Sequence, residues 1–206
     1  MATGPSTNAL TRSAGEVCQR VELPPDARAL LRDRQTAAQL LAELVKAQQF
    51  PPAAQLVAHA LPKRSAVWWA CQCLRQVPAA TAAPPAKAAL AAAERWVGDP
   101  SEENRRAAHA AAEKAGFDTP AGCTALAAFL SGGSLAPPNV PEVPPAEHLT
   151  ADAVAGAVLV AGVLTEPEKA QERYAKFFTL AADVDSGKNR WPESAGRAAD
   201  VSHPQR

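Results

Sequence analysis

Pro85-Ala86-Lys87-Ala88-Ala89-Leu90-Ala91-Ala92-Ala93-Glu94-Arg95-Trp96-Val97-Gly98-Asp99-Pro100-Ser101-Glu102 decides how the rest of the chain is read. Alanine costs least to place in a helix, while glycine and proline end or restart one. Leu90, Ala93 and Trp96-Val97 share one side, so a helix is expected from Pro85 to Val97 with Gly98 as its stop. Asp99 is then expected to cap a new helix, with Pro100 in its first position and Glu102 completing a capping box. That helix runs through the alanine tract 107–115 to Gly116. Lys114 sits near its negative end, and Glu102 pairs with Arg106 one turn on.

The same punctuation extends both ways. Thr119-Pro120 repeats the cap-and-proline device before a helix carrying Ala125, Leu126, Phe129 and Leu130, which ends at Gly132-Gly133. Upstream, Pro24-Pro25-Asp26 opens a short helix to Arg32. Thr36 starts a stronger one with Leu40, Leu41, Leu44 and Val45 in a stripe, and Phe50-Pro51-Pro52 ends it. A further stripe precedes Pro62, and a helix over 62–76 turns Val67, Ala70, Cys71 and Leu74 inward, with Trp68 and Trp69 flanking them. Downstream, Thr150 is expected to cap an apolar helix over 151–164, in which Gly156 and Gly162 allow close backbone contact. Thr165-Glu166-Pro167-Glu168 opens a last helix with Tyr174, Phe177, Phe178 and Ala181 inward. Gly187 ends it, and Trp191 folds back onto the bundle.

The fold expected is all-α: an irregular bundle of about eight to nine short helices in antiparallel hairpins, since no fixed repeat is found. Residues 1–22 read as a flexible N-terminal tail, 23–191 as the helical domain and 192–206 as a disordered C-terminal tail. Residues 134–147 hold Pro137, Pro138, Pro141, Pro144 and Pro145 and favour extended geometry. They read either as a linker or as an ordered strap laid over the helices on Leu135, Val140 and Val143.

Composition bounds the function. The chain has 206 residues and is 47% hydrophobic, enough for one core, but only 5% aromatic, so that core is built from Ala, Leu and Val. Lys+Arg and Asp+Glu are both 21, and a balanced chain lacks the basic excess of a nucleic-acid binder. The apolar run 153–164 is shorter than the roughly 20 residues a membrane span needs. The first 20 residues lack the apolar segment of a secretory signal, and Cys18, Cys71, Cys73 and Cys123 do not form a disulfide framework; a cytoplasmic setting is expected.

Chemical motifs are scarce. Gly132-Gly133 leads into proline-rich chain and not into a phosphate loop. Cys71 and Cys73 on one helix point about 200° apart, which spoils a shared metal, and neither metal nor cofactor is expected. His109 and Glu113 lie one turn apart. Cys123 lies in a first helical turn, where the helix dipole would lower its pKa. His59, His148 and His203 stand alone.

Ala66-Val67-Trp68-Trp69-Ala70, Ala93-Glu94-Arg95-Trp96-Val97 running into Asp99-Pro100-Ser101-Glu102, Thr119-Pro120-Ala121-Gly122 with Ser131-Gly132-Gly133-Ser134, and Glu172-Arg173-Tyr174 together resemble an uncharacterised bacterial all-helical domain family over about residues 22–191. Cys123 stands where that family is expected to carry a large aromatic. The resemblance implies no activity and no catalytic residue. Some members being encoded near type VI secretion components, it implies an accessory role.

The expected function is therefore non-enzymatic: a protein-interaction module acting as adaptor, scaffold or chaperone-like accessory of a larger bacterial assembly, with a protein partner, self-association included. Trp68, Trp69, Val140 and Val143 are the candidate partner-binding residues. The alternatives are an enzyme assembled from Cys123, His109 and Glu113, and a carrier of a small apolar ligand between helices.

Overall fold

A computed structural model describes residues 8–192. Among them lie ten α-helices and no strand beyond a single bridge between Ser13 and Thr36. The helices are α1 (Ala14–Cys18), α2 (Pro25–Arg28), α3 (Ala37–Lys46), α4 (Phe50–Ala60) and α5 (Lys63–Arg75), then α6 (Pro84–Gly98), α7 (Glu102–Ala115), α8 (Pro120–Phe129), α9 (Leu149–Val163) and α10 (Ala170–Asp185). The all-α expectation holds. No single described helix is long and apolar enough to cross a membrane.

Alanine sets the packing. Helix α8 lies between α5, α6, α7 and α9, and its Ala121, Ala125, Ala127 and Ala128 are fully buried. Ala89 and Ala93 of α6 and Ala108 and Ala112 of α7 are buried in the same core, so short side chains let these helices approach closely. Helix α9 packs on α4, α5, α8 and α10. At Gly162 an added Cβ would lie 2.2 Å from the Tyr174 ring, so this glycine makes the α9–α10 contact. Gly156 has no such neighbour. Beyond Asp152 in its first turn helix α9 is apolar all round, yet Val160 and Val163 face solvent, so it is a core helix on one side only.

Several starts differ from the expected ones. Thr36 forms a full capping box with Gln39, and Thr119 caps α8. Ser101, not Asp99, caps α7, accepting from the Asn104 amide at 3.3 Å; Asp99 instead receives the Asn104 side-chain amide. Pro51 and Pro52 lie in the first turn of α4, so they start that helix as much as they end α3. Thr150 caps nothing: α9 begins earlier, at Leu149, and places Thr150 inside its first turn. Thr165 gives no cap either; Glu166 takes a left-handed conformation ahead of a 3₁₀ turn.

The segment expected to be a tail is part of the core from Ala9 onward. Ala9, Leu10, Ala14, Val17 and Val21 are buried. The buried Asp185 carboxylate accepts the Ala9 and Leu10 amides at 2.7 and 3.1 Å, and backbone bonds join Ala14 to Gln35 and Ala37 to Arg12. Scattered small apolar residues give no period to read, and a carboxylate on the last helix holds them. Residues 1–7 and 193–206 lie outside the described residues, and with them nearly all of the expected C-terminal tail.

Candidate functional site

Neither tryptophan of the proposed pair forms a surface. Trp68 is 7% exposed and donates its indole N–H to Asn189 Oδ1 at 3.1 Å, with Trp191 edge-on to it and the Arg64 guanidinium 4.5 Å above the Trp191 ring. Trp69 is fully buried and donates to the Phe177 carbonyl at 2.7 Å. Adjacent helical residues diverge by about 100°, and here both directions are covered, one by α10 and one by the segment after it.

Val140 and Val143 do face solvent, at 50% and 51% exposure. They belong to a closed loop that is neither a free linker nor a strap laid on its apolar residues. The Leu135 amide donates to the Val143 carbonyl at 2.8 Å, and Ser134 Oγ accepts the amides of Ala136 and Val143. Pro137, Pro138 and Pro141 flank Asn139, which takes the left-handed conformation that asparagine tolerates.

Below this neck lies Arg105, 4% exposed. Its guanidinium grips the Glu102 carboxylate at 2.6 and 2.8 Å, the Phe129 carbonyl at the end of α8 at 2.6 Å, and the Ser134 carbonyl at 2.8 Å. It also stacks on the Phe129 ring at 4.5 Å. Arg106 adds a bond to the Ala136 carbonyl. Gly133 has φ +64, and a Cβ there would meet the guanidinium at about 2.9 Å, so the turn admits only glycine. Hydrogen bonds from Arg105 first, and then from Arg106, hold Glu102 below the usual carboxylate range.

The nucleophile set does not assemble by hydrogen bonding. The Cys123 thiol donates to the Phe117 carbonyl at 2.9 Å, and burial followed by the Asp118 charge pushes its pKa up, not down as its helix position suggests. The His109 ring packs on Phe129 at 4.2 Å and on Phe117 at 6.2 Å. Glu113 is exposed. Cys71 and Cys73 are buried, which raises both thiols well above their ordinary value. Among the described residues no group of three His, Cys, Asp or Glu is arranged to hold a metal ion.

The structure adds a cleft that sequence reasoning missed. It encloses about 560 Å³ where the end of α4, the starts of α5 and α9 and the N-terminal segment meet. Arg12, Arg20, Lys63, Glu147 and His148 line it, together with Ala58, Leu61 and Pro62. His59, its side chain buried, also lines it and sits 3.2 Å from the Asp152 carboxylate; His148 Nε2 is 3.9 Å from the other oxygen of that group. Two histidines that stand alone in sequence therefore share one carboxylate. Thr150 lines the cleft too, and it is 1% exposed with a hydroxyl that has no hydrogen-bond partner. The His148–Asp152 spacing is visible on one helix; nothing in sequence links either to His59 or to Arg12.

A family model described as a family of unknown function (DUF6931) matches residues 40–185. The chain belongs to this family. The DUF6931 match takes in most of α3 and runs through α10, ending on Asp185, so it contains Arg105, the proline-rich loop, His59, Thr150 and Asp152. Arg12 and Arg20 lie before it. No curated protein and no solved structure matches the chain.

Proposed function

We propose that this DUF6931 protein is a non-enzymatic interaction module, an adaptor or chaperone-like accessory of a larger bacterial assembly, and that it docks its partner through the loop 135–143. The observation that carries the reading is a pair of half-exposed valines on a segment locked at both ends. Val140 and Val143 ride on a proline-stiffened loop whose neck is hydrogen-bonded and seated on a buried arginine. Free loops lose affinity by being ordered on binding; a pre-closed loop avoids that cost, and apolar side chains held in water gain by being covered. The described cysteines are all free thiols, which supports a cytoplasmic setting. The resemblance to a family encoded near type VI secretion components supports that system as the assembly to test first.

The test compares affinity capture from the native host by the wild type and by a Val140→Asp/Val143→Asp variant, read by mass spectrometry. Both sites are exposed, so the variant's melting temperature should match the wild type's while the specific partner is lost. Retention of every partner by a normally folded variant overturns the assignment.

A further inference from the structure

We infer that the cleft between α4, α5, α9 and the N-terminal segment binds a small molecule with an anionic oxygen head, a carboxylate or a phosphate, on an apolar body. The size fits: about 560 Å³ lies within the roughly 300–1,000 Å³ of small-molecule sites. The lining divides as such a ligand would require. Ala58, Leu61 and Pro62 supply apolar wall, while Arg12 and Arg20, with Lys63 whose ammonium donates to the Ser131 carbonyl at 3.2 Å, supply positive charge against the one lining carboxylate, Glu147. Asp152 stands at the adjoining rim and is engaged by His59.

Three independent observations point to an anion. Arg12 and Arg20 are exposed, and among the described residues their guanidinia have no ion pair or hydrogen bond, while the backbone bond from Ala37 to the Arg12 carbonyl and the Asp185 clasp on Ala9 and Leu10 fix the Arg12 backbone beside the cleft. Helices α5 and α9 both start at this cleft, and neither has a side-chain cap on its first turn, which leaves N–H groups and the positive helix ends toward it. The third is Thr150. A threonine inside a helix ordinarily returns its hydroxyl to the carbonyl four residues back, but Thr150 stands in the first turn of α9, the residue four back, Ala146, lies outside the helix, and Thr150 Oγ1 has no hydrogen-bond partner. Buried hydroxyls without partners are rare, and a turn of the Thr150 side chain toward the cleft it lines would give this one a ligand oxygen.

The experiment is an amide- and guanidinium-resolved NMR titration of the full chain with octanoate, hexyl phosphate, inorganic phosphate, octanol and octyltrimethylammonium. Saturable shifts at Thr150, Arg12 and Arg20 with octanoate or hexyl phosphate support the inference, and the tighter of the two identifies the head group. Inorganic phosphate binding more weakly than hexyl phosphate shows the apolar wall contributing. Arg12→Ala/Arg20→Ala and Thr150→Val should each weaken the better anion by about tenfold, with Thr150→Ser retaining it. No anion bound by about 10 mM, octanol binding as tightly as octanoate, or variants that bind unchanged each overturn the inference. Loss of the Val140/Val143 partner has no bearing on this outcome, so the two proposals fail separately.

Discussion

Arg105→Ala tests the structural role of the loop neck. The guanidinium serves the Phe129 and Ser134 carbonyls and both oxygens of Glu102, and it covers the Phe129 ring. Glu102 is half-exposed, so water recovers that carboxylate and its share is small. The two carbonyls lose charged donors, each worth about 1.5–3 kcal/mol, and the ring contact adds about 0.5–1 kcal/mol. A loss of about 3.5–7 kcal/mol follows, roughly 7–28 °C in melting temperature for a chain of this size. It should be local first. Hydrogen exchange at Leu135 and Val143 should rise toward free-loop rates at temperatures where α5 and α8 stay protected. Arg105→Lys, a point charge without a fork, should recover only part of the loss. Glu102 also gives the pH sign. Its pKa is lowered in the fold, so its contribution is present above the ordinary carboxylate range and fades as pH falls below it. A variant that loses less than about 1 kcal/mol, or that keeps Leu135 and Val143 protected, refutes the reasoning.

Three other outcomes follow from the packing. Gly162→Ala should cost at least about 1–3 kcal/mol by thermal melting, because its Cβ would strike the Tyr174 ring, whereas Gly156→Ala, with open space around it, should be neutral or stabilising. Thiol titration of the native protein should find Cys71 and Cys73 silent until denaturation and Cys18 and Cys123 slower than free cysteine, since burial raises all four; a fast native thiol would revive the nucleophile reading. Asp185→Ala should free the Ala9 and Leu10 amides, and limited trypsin digestion should then cut at Arg12 or Arg20 well before the helices.

What the sequence made legible was whatever has a local cause. The Thr36 capping box, the Thr119 cap, the helix stop at Gly98 and the inward stripe of Leu40, Leu41 and Leu44 each depend on neighbours within a turn or two, and spacing reveals them. The α7 cap lies two residues beyond the expected Asp99: a serine also caps, and the role goes to Ser101, whose oxygen reaches the Asn104 amide. The burial of Trp68 was not legible, because its cover, Asn189 and Trp191, lies more than a hundred residues away. The cleft was hidden for the same reason: His59 meets Asp152 across 93 positions of chain.

The polar ties also say why so alanine-rich a core holds irregular segments in place. Apolar burial stabilises by roughly 25 cal/mol per Å², and an alanine methyl has little area to contribute, so a segment such as 9–21 gains only modestly from covering Ala9, Ala14 and Val17. Ordering its backbone costs about 1–2 kcal/mol per residue. Charged hydrogen bonds make up part of the difference at three places. Asp185 does so at the start, Arg105 at the loop neck, and the Arg64 guanidinium on the carbonyls of Val97 and Gly98 at the end of α6. Each tie joins residues more than twenty positions apart, each has a large energetic consequence for one side-chain change, and none leaves a period in the sequence. In this fold the helices are written locally, while three of the irregular segments that flank them are tied by long-range ionic side chains.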